Sequence, residues 1–140
     1  MAQQGVPMWP RETTGLRVLV ECEDRAVQDG VERALRTAGY VTAACAGPAS
    51  RHSGECPLVV DGRCGLVEDA DVVVHAFDPD RADLAQVLAA IRDHFPDKPV
   101  IVEVSTGTDV RDRDVVATCH TLRFPLTAGS LVEIVRSAAL

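Results

Sequence analysis

Three thiols and one imidazole, Cys45, His52, Cys56 and Cys64, fall within twenty consecutive positions of this sequence. These are soft or borderline ligands, and four of them together would suit a tetrahedral zinc ion or an iron–sulfur cluster. The gaps between them are six, three and seven residues, without the tight Cys-x-x-Cys knuckle that such sites favour. Two other chemistries fit the same residues: a redox pair made by Cys56 and Cys64, or plain packing of Cys45 and Cys64 as small apolar side chains beside a solvated His52. With Cys22 and Cys119 the chain has five cysteines, an odd number that argues against a disulfide framework.

A second set of polar side chains closes two apolar runs. Leu16-Arg17-Val18-Leu19-Val20 ends in Glu21-Cys22-Glu23-Asp24, and Val72-Val73-Val74 ends in His75-Ala76-Phe77-Asp78. Carboxylates beside Cys22 raise a thiol pKa, so packing suits that residue better than nucleophilic work. An α/β enzyme would have to draw on Glu23, Asp24, His75, Asp78 and Ser105, and no two of these form a recognisable catalytic pair. Neither a Gly-x-Ser-x-Gly elbow nor a GxxxxGK or GxGxxG phosphate loop is present, which disfavours a serine hydrolase and a nucleotide-binding protein.

The elements that must position these groups alternate in period. Residues 16–20 read as a strand, and Asp24 then caps a helix whose stripe is Val27, Val31, Ala34, Leu35 and Ala38, closed by Gly39. Tyr40 to Cys45 reads as a second strand, which makes a right-handed βαβ unit. From Cys45 to Asp71 the breakers Gly47-Pro48, Ser53-Gly54, Pro57, Gly62 and Gly65 predict little or no helix. Val72 to Val74 is a short β-branched run, the mark of a buried central strand in a parallel sheet. Behind it Asp78 is expected to cap a helix bearing Leu84, Val87, Leu88 and Ile91, with Pro79 in its first turn. Val100 to Val104 is a fourth strand, Asp109 to Cys119 a short exposed helix, Thr121 to Phe124 a fifth strand, and Thr127 caps a last helix with Leu131, Ile134, Val135 and Ala138 facing inward. No internal repeat and no low-complexity tract is expected.

At 140 residues the chain is long enough for one domain with a real core, and 46% hydrophobic residues with one Trp, one Tyr and three Phe make that core aliphatic. The net charge of −7 repels phosphate backbones, so nucleic acid is not an expected partner of this domain. No apolar run approaches the roughly 18 residues of a membrane span. With no apolar signal core at the amino terminus, a cytoplasmic location is expected. Residues 1–15, with Gly5, Pro7 and Pro10, read as a flexible leader before the domain at 16–140.

Five alternating β and α elements, acids after strand one, a loop after strand three, Ser105 or Thr106 after strand four and Pro125 after strand five resemble a response-regulator receiver domain. The resemblance spans Leu16 to Leu140. It implies a flavodoxin-like, doubly wound, five-stranded parallel sheet of order 2-1-3-4-5, here with an irregular Cys-containing segment replacing or shortening helix 2. Receivers form an acyl phosphate on an Asp after strand three, using Mg²⁺ held by acids after strand one, a Ser or Thr after strand four and a Lys before the last Pro. Laid on this chain, the acidic positions fall on Cys22 and Glu23 with Asp24 displaced by one. The acceptor falls on Ala76 or, shifted by one, on His75, and neither forms an acyl phosphate. Ser105 meets the hydroxyl position only with a slip of register, the Lys position holds Phe124, and Asp78 is two residues too far on. The resemblance is thus to a pseudo-receiver, a non-enzymatic and cofactor-free signalling or transcriptional-regulation module with a degenerate pocket. It implies a protein partner or self-association through residues 109–140. The alternative is a metal- or redox-sensing protein built on Cys45, Cys56 and Cys64.

Overall fold

The computed structural model describes residues 9–10, 14–48, 54–78, 81–104, 119–123 and 127–140. Five strands, β1 (Arg17–Glu21), β2 (Val41–Cys45), β3 (Val72–His75), β4 (Val100–Val104) and β5 (His120–Arg123), form one sheet in the order β2-β1-β3-β4-β5. All neighbouring pairs are parallel. The flavodoxin-like expectation therefore holds. All four residues of β3 are buried, as a central strand covered on both faces requires.

Two apolar layers sandwich the sheet. Leu19, Ala43, Val73 and Val102 face one layer with α4 (Ala82–His94), while Val18, Val20, Val72, Val74 and Ile101 face the other with α1 (Arg25–Thr37) and α5 (Ala128–Ala138). Asp24 caps α1 by accepting from the Ala26 and Val27 amides at 2.9 and 3.2 Å. Val31 and Leu35 bury its inner face, but Val27, expected in that stripe, is 43% exposed. Thr127 and Ser130 close a capping box on α5, whose Leu131, Val135 and Ala138 are buried.

Three expectations are corrected. The segment expected to hold little or no helix contains two, α2 (Pro57–Asp61) and α3 (Gly65–Asp69). Its breakers are helix ends: Pro57 occupies the first turn, where a missing N–H costs nothing, and Gly62 stops α2 at φ 73. Buried Leu58, Leu66 and Val67 anchor both turns on the sheet. Asp78 does not cap α4. That helix starts later, after Arg81, which makes no side-chain cap, and the Asp78 carbonyl accepts the Arg81 amide at 3.3 Å in the preceding turn. β5 begins one residue earlier than expected, at His120. The helix expected at 109–119 falls on positions that, Cys119 apart, lie outside the described residues.

Trp9, within the segment read as a flexible leader, is tied to the body. Its indole N–H donates to the Leu66 carbonyl at 3.1 Å, and the Arg17 guanidinium lies 5.9 Å from its ring. No helix among the described residues is long and apolar enough to cross a membrane.

Candidate functional site

Register places three polar side chains in a row at the carboxyl ends of the strands, where open α/β sheets carry their sites. Glu21 of β1 pairs with Cys45 of β2 on one side and with His75 of β3 on the other. Directly paired residues of parallel strands share a face, so all three lie on the side of Leu19 and Val73. Glu21 is 2% exposed and His75 5%. The His75 Nδ1 donates to the Glu21 carboxylate at 2.8 Å, and the Phe77 ring meets the imidazole edge-on, with centroids 5.2 Å apart. A buried carboxylate without that donor would leave a charge in an apolar layer, so the two side chains require each other.

The other acids at this end are also committed. Both Glu23 oxygens accept the Asp78 amide at 3.2 Å, which ties the loop after β3 to the loop after β1. Asp24 caps α1. Cys22 lies on the opposite face, 2% exposed, with its thiol donating to the Asp24 carbonyl at 3.5 Å. Burial pushes its pKa up, the bond to Asp24 opposes this, and Glu23, Asp24 and Glu103 add to the rise. Burial first, and the acidic neighbours after it, disfavour the thiolate. Asp78 is exposed and Ala76 half-buried, the Ala76 amide donating to the Glu21 carbonyl at 2.8 Å. Ser105, Phe124 and His52 lie outside the described residues.

Glu21 is the acid that the receiver pattern, laid on this sequence, does not pick out. The acidic positions were laid on Cys22 and Glu23, whereas the acid facing His75 is the last residue of β1 itself. The signal was the two-residue period: Leu19 and Glu21 share a face, and Val18, Val20 and Cys22 share the other.

Beside Glu21 lies a cavity of about 20 Å³, lined by Cys45, Cys56 and Cys64 together with Leu19, Leu58 and Phe77. Three of the four residues clustered in the sequence thus line one cavity. Burial, and next the Glu21 charge, push the Cys45 thiol up to about 12. Burial also raises Cys64, against bonds from the Val67 and Leu66 amides, and Cys56 and Glu21 add to the rise. All five cysteines are free. Among the described residues no group of three or more His, Cys, Asp or Glu side chains is placed to hold a metal ion.

No protein-family model matches this chain, and no curated protein sequence matches it. Solved structures do. A response-regulator receiver domain from Clostridium thermocellum is 19% identical, with a TM-score of 0.66 over 89% of this chain and 94% of that one. A response-regulator receiver protein from Sinorhizobium medicae is 18% identical, with a TM-score of 0.63 over 90% and 95%. A chemotaxis protein of Vibrio cholerae is 15% identical, with a TM-score of 0.65 over 89% and 99%. At these identities the likeness is one of fold: the chain has the flavodoxin-like fold of receiver domains.

Proposed function

We propose that this chain is a receiver-like regulatory module that acts in signal transduction or transcriptional regulation without acyl-phosphate chemistry, as a non-enzymatic and cofactor-free domain. The observation that carries the proposal is the buried pair of Glu21 and His75 at 2.8 Å. Phosphoryl transfer to a carboxylate needs a free nucleophilic oxygen and a divalent cation held by further oxygens to neutralise the incoming charge. Here the strand end that would offer the acceptor presents an imidazole and a methyl group. Of the neighbouring carboxylates, Glu21 holds His75, Glu23 holds the Asp78 amide and Asp24 caps α1. A pocket organised in this way is a structural joint. The work then passes to surfaces, and the face at 109–140, which includes α5, is the one proposed to meet a protein partner or a second copy of the chain in the cytoplasm.

Incubation with radiolabelled acetyl phosphate, and separately with beryllofluoride, in the presence of Mg²⁺ tests the proposal. No saturable labelling and no shift in melting temperature are expected. Saturable, Mg²⁺-dependent labelling that maps to Asp78 would overturn the reading.

A further inference from the structure

Residues 56–71 hold a duplication, against the expectation of no internal repeat. Cys56-Pro57-Leu58-Val59-Val60-Asp61 and Cys64-Gly65-Leu66-Val67-Glu68-Asp69 repeat the pattern Cys-x-Leu-Val-x-Asp at a spacing of eight residues. The two copies fold alike. Each cysteine is the extended residue before a five-residue helix, and its carbonyl accepts the amide four residues on, at 3.0 Å from Val60 and 2.9 Å from Glu68. Each leucine is an anchor, Leu58 at 0% and Leu66 at 7% exposure. The repeat therefore presents two equivalent thiols, and both line the cavity next to Glu21.

Both residues pack in part against the apolar layer that holds Leu58 and Leu66, a contact that does not itself call for sulfur. The Cys56 side chain does not cap α2, and the Cys64 sulfur meets the Leu66 and Val67 amides as a weak acceptor where Ser, Thr or Asp would cap more strongly. Both residues are only half-buried, which leaves part of each open to solvent. The cavity between them has room for about one water molecule, which excludes an organic ligand. What the arrangement offers is a pair of sulfurs brought to one space by two short turns, with Cys45 on the rigid β2 as a third wall.

We infer that Cys56 and Cys64 form a reversible disulfide, a two-electron redox site that closes the duplicated segment over the carboxyl end of the sheet. With a peroxide as oxidant, the Cys56 sulfur attacks the O–O bond, becomes a sulfenic acid and releases one oxygen as water. The Cys64 sulfur then attacks the Cys56 sulfur, the S–O bond breaks and a second water leaves. Two thiols lose two protons and two electrons, and one hydrogen peroxide becomes two waters. A low-molecular-weight thiol reverses the reaction by exchange. The inference does not depend on how β3 is used, so labelling by acetyl phosphate would leave it untouched.

The sequence makes the test direct, because cleavage after Arg36, Arg51, Arg63 and Arg81 puts Cys45, Cys56 and Cys64 on three separate tryptic peptides, 37–51, 52–63 and 64–81. The full native chain is treated with hydrogen peroxide, its remaining thiols are blocked with N-ethylmaleimide, and the unreduced digest is read by mass spectrometry. Peptide 52–63 linked to 64–81 is the expected major product, absent after dithiothreitol, retained in Cys45→Ser and lost in Cys56→Ser and in Cys64→Ser. Alkylation of both Cys56 and Cys64 after peroxide, a major link from either to Cys22, Cys45 or Cys119, or over-oxidation of one sulfur without a link would overturn the inference. The wild-type digest decides the matter even where a serine variant fails to fold.

Discussion

His75 and Glu21 illustrate how a polar pair becomes necessary once it is buried. Removing one partner leaves the other charged or undonated in an apolar layer, at a cost of about 3–5 kcal/mol. His75→Ala and Glu21→Ala should each lower the urea-unfolding free energy by about that much, while replacing both by leucine should cost less than the sum of the two. Glu103 offers a test in pH. Burial raises its carboxyl above the ordinary 4.5, so the folded chain holds that proton more tightly than the unfolded chain does. Its contribution to stability is therefore present in full below 4.5 and lost as pH rises through the raised folded value. Glu103→Gln should be more stable than the parent at pH 7, with the difference shrinking towards pH 4, as read from urea unfolding at the two values.

The short helices show how local chemistry is inverted by context. A stretch with Pro57, Gly62 and Gly65 reads as a loop because those residues interrupt long helices, yet they are good ends for one-turn helices. Whether such a turn forms depends on what anchors it, and Leu58 is fully buried whereas Val60 is 56% exposed. Leu58→Ala should thus cost about 2–5 kcal/mol and Val60→Ala less than about 1 in thermal or urea unfolding. The long elements were legible in advance because their apolar period and caps sit in one stretch of sequence, as with Asp24 before α1 and Thr127 before α5. The joint between Glu21 and His75 was not legible, since it depends on a register between strands whose residues lie 54 positions apart. The convergence of Cys45, Cys56 and Cys64 was legible only as a cluster in sequence, and their shared cavity required the fold.

Across the whole molecule, the sheet order and the two apolar layers follow from a chain whose strands are buried runs and whose helices carry one apolar stripe. The surface then carries the net charge of −7, a field that opposes phosphate. No retention on duplex DNA or on RNA at about 0.1 M salt is expected in a gel-shift measurement, where the Debye length of about 10 Å still lets that charge act. The indole of Trp9 is the only one in the chain, and it is held by the backbone of α3 at Leu66, two residues from Cys64. The molecule thus carries its own optical reporter. Emission from a single native fluorophore will follow whether the amino-terminal segment stays docked and whether the turn beneath it is drawn tight, with no label added and no residue changed.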